Sequence, residues 1–313
     1  MPDAANTSRD RNPSIRPMLC AGGVYPAQAN ALKRELNRYL NALNPITHNQ
    51  QPITPRGILS PHIDYVRGGA VYASVWQAAA SAAQQADLVL ILGTDHQDTG
   101  QLFTLTDQSY ATPYGVLPTA HAINHSLAQA IGPHRAYASE MFHTTEHSIE
   151  LPLVWLHHLR DGAPIEIVPI IVGGFWEEMR QGRSPASNVQ VIAFLSAIKA
   201  TTQGRRVLVI ASGDLAHVGP VFEGDPLNEA DKAALKTYDE GLLQHIIAGD
   251  AEGWFAALAS THNHTNVCGL APVYLTLKLL ESSHGVIQDY AQCPADANKS
   301  SVVSICGAVL NAD

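Results

Sequence analysis

The chain alternates short apolar runs with longer segments whose apolar residues recur every three or four positions. Continuous apolar runs are typical of strands covered on both faces of a sheet, and the wider spacing is typical of amphipathic helices. The predicted strands span residues 57–60, 87–92, 101–106, 165–172, 207–212, 286–290 and 301–308, and residues 110–118 form a loop or hairpin. The predicted helices span residues 26–43, 69–86, 119–131, 151–158, 191–202 and 228–248, and residues 261–281 join a polar loop to a further apolar helix.

This alternation predicts the α/β class, with a central mainly parallel or mixed β-sheet and helices on both faces. The chain has 313 residues, of which 46% are hydrophobic and 15% charged, so it can bury a large core. No linker rich in Ser, Pro and Gly divides it. We therefore expect one domain over residues 1–313, with residues 1–25 as a flexible leader and residues 44–55 as a loop.

Composition narrows the choice of partners and compartment. The formal net charge is −9, and no stretch clusters Lys and Arg with aromatic residues, so a small-molecule partner is favoured over nucleic acid. The sequence shows neither a secretion signal nor an apolar run long enough for a membrane span, which favours a cytoplasmic protein. The four cysteines contain no CxxC pair, which argues against a disulfide framework and a zinc ribbon.

Candidate chemistry lies where predicted strands end. His62 follows the strand at 57–60, His96 follows that at 87–92, and Asp214 and His217 follow that at 207–212. In open α/β sheets, sites form beyond the carboxyl ends of the strands. Cys268 precedes a predicted helix, whose N-terminus favours the thiolate form. His62, His96 and Cys268 could therefore bind zinc, copper or iron, although loop or capping roles for the histidines and burial of the thiol remain the alternatives.

Two pairs are candidates for proton transfer. Asp214 and His217 are three residues apart and would share a face if their turn is helical, so that Asp214 would position His217. Glu146 and His147 are adjacent before the helix at 151–158, where a carboxylate is favourable in any case. The remaining histidines are taken as structural or surface residues, with His262 and His264 as the alternative third ligand. No nucleotide-binding motif and no standard hydrolase motif occurs.

Several of these stretches resemble the MEMO family, including its prokaryotic members called AmmeMemoRadiSam system protein B. The stretches are, in order, SPHIDYVRGG, ILGTDH, TEHSIELPLVWL, VPIIVGG, ASGDLAHVG and VCGLAPVYLTL. The resemblance implies the fold of class III extradiol (LigB-type) dioxygenases, with metal ligands at His62, His96 and Cys268 and with Asp214 and His217 in the same pocket. The implied metal is Fe(II), with Cu or Zn as alternatives. The dioxygenases use a carboxylate where this chain has Cys268, and PHIDY replaces the family's common PHAGY, which adds Asp64 without an assigned role.

The leading hypothesis is therefore a non-haem iron or copper dependent redox enzyme whose substrate is unknown. A second hypothesis is a metal- and peptide-binding protein without turnover. A third is a zinc-dependent hydrolase, since two histidines and a cysteine would leave a position open for water. The family resemblance further implies a functional association with a radical-SAM enzyme and an AMMECR1-like protein.

Overall fold

The computed structural model of the chain describes residues 14–43, 54–281 and 283–312. The strands are β1 (Ile15–Arg16), β2 (Gly57–Ser60), β3 (Leu88–Thr94), β4 (Phe103–Leu105), β5 (Ser109–Thr112), β6 (Gly115–Leu117), β7 (Ile167–Val172), β8 (Val207–Ser212), β9 (His217–Val218), β10 (Ser283–Pro294) and β11 (Val302–Ala312). The helices are α1 (Ala29–Asn41), α2 (Tyr65–Ala78), α3 (Ala80–Gln85), α4 (His121–Ile131), α5 (Pro133–Ala136), α6 (Glu150–Leu159), α7 (Trp176–Gln181), α8 (Val189–Thr201), α9 (Glu229–Ile247), α10 (Ala251–Ser260) and α11 (Leu270–Leu279).

The main sheet is mixed, with a parallel centre. Its order is β10-β11-β2-β8-β3-β7-β4, and β9 pairs with β11. β2, β8, β3 and β7 run parallel, whereas β4 at one edge and β11 with β10 at the other run antiparallel to their neighbours. This arrangement confirms the predicted α/β class and the predicted mixed sheet.

Successive side chains of a strand point to opposite faces of the sheet, and here both faces are buried. In β3, Leu88, Leu90 and Leu92 pack into one apolar core with α4, α8, α10 and α11. Val89 and Ile91 pack into a second core with α1, α2 and α6. The continuous apolar character of the central strands follows from this two-sided burial.

Part of the predicted leader is a structured element. Residues 1–13 lie outside the described residues, but Ile15–Arg16 forms β1 and pairs with β5 in a small second sheet, β1-β5-β6. Arg16 is fully buried, where its guanidinium pairs with the equally buried Glu150 and donates to the carbonyl oxygen of His143. The flexible leader predicted over residues 1–25 is therefore wrong for residues 14–25, because a buried ion pair anchors this segment.

The other predicted elements differ from the structure mainly at their ends, whereas α5, α7, α10 and β9 were not predicted. Residues 110–118 form the hairpin of β5 and β6, and the last two predicted strands are one long antiparallel pair, β10 and β11. The helix predicted from residue 69 begins at Tyr65, because Asp64 caps it by accepting a hydrogen bond from the Arg67 backbone. Asp64 also pairs with the Arg67 guanidinium at 2.6 Å, which gives this carboxylate a structural role. The predicted loop at 44–55 lies outside the described residues except for its last two positions.

Within the described ranges, no helix is both long and apolar enough to cross a bilayer.

Candidate metal centre

Three parallel strands carry the candidate residues to one edge of the sheet. His62, His96 and Asp214 each lie two residues beyond the last residue of β2, β3 and β8 respectively. Cys268 approaches from the other side, two residues before α11 begins. Close backbone packing makes this approach possible, since a Cβ atom on Gly213 would lie 2.3 Å from the Cα of Gly269. The loops that carry Asp214 and Cys268 are thereby held against each other.

The structure places His62 beside both Cys268 and His96, whereas His96 and Cys268 belong to different groups of converging donor atoms. The Nε2 atom of His62 lies 3.2 Å from the Sγ atom of Cys268, and the rings of His62 and His96 lie edge to face with centroids 4.9 Å apart. Thr94 ties the loops together, because its hydroxyl donates to the carbonyl oxygens of Ser212 and Cys268. The imidazole nitrogen of His62 and the sulfur of Cys268 thus face one small volume.

A hydrogen-bond chain fixes the tautomer of His62. The Ser212 hydroxyl donates to the carbonyl oxygen of Ser148, so it can only accept from the Nδ1 atom of His62, which is 3.2 Å away. The Nε2 atom that faces Cys268 is therefore unprotonated. Burial, followed by the neighbouring His96, lowers the pKa of His62 well below its usual value. A neutral imidazole with a free Nε2 is the form that binds a metal.

Glu146 holds His96 in place. This buried carboxylate accepts hydrogen bonds from the His96 backbone at 3.1 Å and from its Nδ1 atom at 3.0 Å. Burial opposes ionisation, but the hydrogen bond and charge of His96 lower the pKa of Glu146 to about 2. The Nδ1 atom of His147 lies 3.3 Å from the same carboxylate. Glu146, predicted as an acid/base partner of His147, therefore also orients a candidate ligand.

His147 is a third imidazole at the centre. Its ring stacks on that of His96 with centroids 4.7 Å apart and meets that of His62 edge to face at 5.3 Å. Two groups of side chains have donor atoms within 4.8 Å of one another: His62 with His96 and His147, and His62 with Asp214 and Cys268. Sequence reasoning treated His147 only as an acid/base residue, because it lies in a loop before α6 and follows no strand.

Cys268 and His96 are electrostatically coupled. Burial works against a charge on His96, yet its hydrogen bonds with Cys268 and Glu146 raise the pKa of the imidazole to about 10. Burial also raises the pKa of the Cys268 thiol. The imidazole of His96 and the thiol of Cys268 are therefore both protonated near pH 7, and a metal ion that binds them would displace these protons.

Asp214 supports His62 and Cys268. Its Oδ1 atom accepts a hydrogen bond from the His62 backbone at 2.9 Å, and its own backbone N–H donates to the Cys268 sulfur at 3.2 Å. Burial raises the pKa of Asp214 to about 6. No hydrogen bond joins Asp214 to His217 among the described residues. The prediction that Asp214 positions His217 is thus wrong.

His217 is positioned by backbone carbonyl groups instead. It belongs to β9, which pairs with β11, so the segment after Asp214 is extended and the helical spacing does not apply. The Nδ1 atom of His217 donates to the carbonyl oxygens of Leu215 at 3.2 Å and Asn266 at 3.1 Å. Its Nε2 atom is therefore unprotonated. Burial lowers the pKa of His217 to about 4, which keeps the ring neutral near pH 7.

The alternative third ligands lie apart from this centre. His262 and His264 are exposed, and neither belongs to either group of converging donor atoms in the described part of the chain. The ring of His264 packs against Tyr238 with centroids 5.5 Å apart. The HxHxxxC spacing therefore does not produce a ligand cluster.

A cavity of about 510 Å³ opens beside the centre. His96, Cys268 and His217 line it together with apolar residues of α7, α11 and the segment Pro220–Phe222. Its volume lies in the range of small-molecule sites, about 300–1,000 Å³. A ligand in this cavity would lie next to any metal held by the imidazoles and the thiol.

Comparison with known proteins agrees with the resemblance read from the motifs. Residues 16–309 match the family described as Memo-like protein. A MEMO1 family protein of Methanosarcina acetivorans is 27% identical over 283 residues, which cover 88% of this chain and 91% of the relative. Relatives of the same description from Methanosarcina mazei (26% over 300 residues; 95% and 99% covered) and Thermus thermophilus (26% over 273 residues; 87% and 76% covered) are similar along most of their length. The chain therefore belongs to the Memo-like protein family.

Proposed function

We propose that this protein is a metal-dependent redox enzyme in which His62, His96 and Cys268 bind one iron(II) ion. The observation that supports this most is the convergence of two imidazoles and one thiol at the carboxyl ends of β2 and β3. Iron is favoured by the family's resemblance to extradiol dioxygenases. The donor set would also suit copper or zinc.

The donor atoms of His62 and Cys268 are spaced to share one small ion. Metal bonds to histidine nitrogen and cysteine sulfur of about 2.0–2.3 Å place neighbouring tetrahedral donors roughly 3.3–3.8 Å apart. The distance of 3.2 Å between His62 Nε2 and Cys268 Sγ is close to this range. A redox-active ion would supply electron transfer and open coordination positions for a substrate. Because His147 also faces the centre, it is a candidate fourth ligand or a group that polarises the substrate.

The residues around the centre would accept a proton from the substrate and keep the metal ligands in place. The unprotonated Nε2 atom of His217 lines the cavity and can accept a proton from a bound hydroxyl or amine. Glu146 and Asp214 keep the ligands in their orientations. The role of this chain in the reaction is thus to bind the metal, orient the substrate beside it and take up a proton.

Metal analysis after anaerobic purification tests the proposal. We expect about one iron per chain, and Cys268→Ser should lower the metal content sharply because a neutral hydroxyl replaces a soft anion. Cys293→Ser is the matched control, since Cys293 is a buried cysteine outside both groups of donor atoms. Equal metal content in Cys268→Ser and the unaltered protein would contradict the assignment of Cys268.

The same analysis separates the alternatives. A zinc-dependent hydrolase is favoured if zinc alone is retained, because thiolate and imidazole with an open position also activate water. A protein that binds metal without turnover is favoured if iron is retained but no substrate-dependent oxygen consumption is found with candidate catechols.

The cellular setting forms a further part of the proposal. Association with a radical-SAM enzyme and an AMMECR1-like protein is supported by the family resemblance alone. A cytoplasmic location is supported by the four free cysteines, which suit a reducing compartment. Co-purification of the tagged chain with either partner from its native cells would test the association.

A further inference from the structure

A buried arginine outside the centre contacts the segment that carries Glu146 and His147. Arg16 of β1 is fully buried. Its Nε atom donates a hydrogen bond to the carbonyl oxygen of His143 at 2.8 Å, and its Nη2 atom donates to the carbonyl oxygen of Glu146 at 2.7 Å. The planar guanidinium presents its donors in a rigid fork, so it fixes the distance between the carbonyl groups that it binds. One side chain therefore holds the backbone of residues 143–146 at two points.

The guanidinium is itself held by a buried carboxylate. Glu150, the first residue of α6, pairs with the Nη1 atom of Arg16, and neither side chain is exposed. The Glu150 carboxylate also accepts hydrogen bonds from the backbones of Leu19 at 2.8 Å and Cys20 at 2.9 Å, and from the Tyr25 hydroxyl. Since both charges are satisfied within the protein, the position of Arg16 is fixed on either side of the ion pair.

The side chain of His143 attaches the start of the same segment to β4 and β5. Its Nε2 atom donates to the carbonyl oxygen of Thr104 at 3.0 Å, and its Nδ1 atom accepts a hydrogen bond from the Tyr110 hydroxyl at 2.6 Å. The Arg16 guanidinium lies over the Tyr110 ring, 5.0 Å from its centroid. Residue 143 is therefore fixed by its side chain as well as by its carbonyl group.

The position of Glu146 matters because its carboxylate is the acceptor that orients His96. It accepts hydrogen bonds from the backbone of His96 at 3.1 Å, from the His96 Nδ1 atom at 3.0 Å and from the backbone of Ser148 at 2.8 Å. A displaced Glu146 backbone would displace this acceptor, and a candidate ligand would lose its support. The bond from Arg16 to the Glu146 carbonyl oxygen thus connects β1 to the metal centre.

We propose that Arg16 is a positioning residue of the metal centre, which acts by holding the Glu146 backbone so that the Glu146 carboxylate meets His96. The segment around β1 thereby belongs to the centre, although it contributes no candidate ligand. This inference deepens the proposed function and rests on it for the metal, but the hydrogen bonds concerned exist in the protein without metal. The competing account is that the ion pair with Glu150 only anchors the N-terminal segment to the fold.

Arg16→Lys tests the proposal, because an ammonium carries its donors on one nitrogen and cannot reach the carbonyl oxygens that the guanidinium reaches with Nε and Nη2. Amide hydrogen exchange of the metal-free full chain is followed at His96 and Ser148, whose N–H groups both donate to the Glu146 carboxylate. We expect exchange at these two amides to become about tenfold faster, while the amides of β3, in the centre of the sheet, stay unchanged.

Metal affinity is the second measurement on the same variant. Competition with a chelator of known affinity should show that iron(II) binding is weakened about tenfold, as loss of an outer hydrogen-bonding partner does. Leu36→Ala, at a fully buried leucine of α1, is the control. It should lower the urea midpoint, since it leaves a cavity in the core, but should leave both the metal affinity and the exchange at His96 and Ser148 unchanged.

A double variant keeps the test possible if Arg16→Lys does not fold. Arg16→Met combined with Glu150→Met replaces both charges by apolar chains, so that neither charge is left buried alone. This variant should show the same faster exchange at His96 and Ser148, because it also lacks the bond to the Glu146 carbonyl oxygen.

The proposal is overturned if the folded Arg16 variants leave exchange at His96 and Ser148 unchanged, or if Leu36→Ala accelerates it as much. If neither Arg16 variant folds, Arg16 acts on the whole fold and the proposal is likewise overturned. Faster exchange in the variants together with no metal in the unaltered protein would contradict only the metal assignment. Bound metal together with unchanged exchange would contradict only the role of Arg16.

Discussion

Buried carboxylates hold the two candidate histidine ligands in place. Glu146 accepts the Nδ1 proton of His96, while Asp214 accepts the backbone N–H of His62. Both carboxylates lie behind the candidate ligands and are 1–2% exposed. Their effect on chemistry therefore passes through the orientation of His96 and His62.

Glu146→Gln should weaken metal binding about 10–100-fold, because the neutral amide is a poorer acceptor for the Nδ1 proton of His96 and supports its ligating nitrogen less. Competition with a chelator of known affinity measures the change. Glu166→Gln, at a half-exposed carboxylate that pairs with Arg205, is the control and should leave the affinity unchanged. An unaltered affinity in Glu146→Gln would mean that His96 is not a ligand.

His217→Ala should retain near-stoichiometric metal, because His217 belongs to neither group of converging donor atoms. It should weaken the binding of a small phenol such as 4-ethylphenol in the cavity at least about fivefold, since the accepting Nε2 atom of a residue that lines the cavity is lost. Metal content and calorimetric titration measure the two effects on the same samples. Loss of metal as complete as in His62→Ala would instead make His217 a ligand.

The strands were the elements best predicted from the sequence, and the prediction of the site depended on where they end. Continuous apolar runs identified β2, β3 and β8, and because parallel strands end at one edge, residues just beyond them were expected to meet. His62, His96 and Asp214 do lie together there. Cys268 required a weaker argument, since only its place before α11 distinguished it from the other cysteines.

Local spacing failed where tertiary pairing decides the conformation. Asp214 and His217 would share a face on a helical turn, but pairing of β9 with β11 extends that segment. Strand β11 lies far from β9 along the sequence, so no local pattern predicts this pairing. The contacts of His147 were missed for a related reason, because its position depends on how the loop before α6 packs on β3.

The contact between α9 and β10 includes a titratable group. Asp239 of α9 is fully buried, and its Oδ2 atom accepts a hydrogen bond from the Tyr290 hydroxyl at 2.8 Å. Its other oxygen has no partner among the described residues. Burial raises the pKa of Asp239 from its usual 3.8 to about 6. The folded protein therefore holds a proton that the unfolded chain releases between these pH values.

Because its pKa is raised on folding, Asp239 contributes stability that is fully present below pH 3.8 and is lost as pH rises through about 6. Asn cannot ionise, so Asp239→Asn should become more stable relative to the unaltered protein by roughly 2 to 3 kcal/mol between pH 4 and pH 7.5. Urea unfolding at both pH values measures this difference. Parallel pH dependence of the two proteins would show that burial does not shift this carboxyl group.

The main sheet is assembled from segments that are far apart in the chain. β2 lies between β8 and β11, so the first strand of the sheet depends on two of the later ones. At the carboxyl ends of the parallel strands, His62 lies next to Cys268. The folding of the centre is thus coupled to most of the described chain.

We expect the chain to behave as one domain. Separately expressed fragments divided within residues 100–200 should fail to fold, because the sheet would lose the pairing of β2 with β8 and of β3 with β8. Limited proteolysis followed by circular dichroism and metal analysis of the fragments checks this. Two stable folded fragments would contradict the prediction.

X-ray absorption spectroscopy at the iron edge, on anaerobically purified protein, tests the assignment of the metal centre most directly. We predict one sulfur scatterer at about 2.3 Å together with nitrogen scatterers at about 2.0–2.1 Å, by analogy with zinc bonds to cysteine and histidine. The sulfur shell should disappear in Cys268→Ser and persist in Cys293→Ser. A first shell of nitrogen and oxygen alone in the unaltered protein would contradict the assignment, and would place the metal among His62, His96 and His147 with Cys268 outside its coordination.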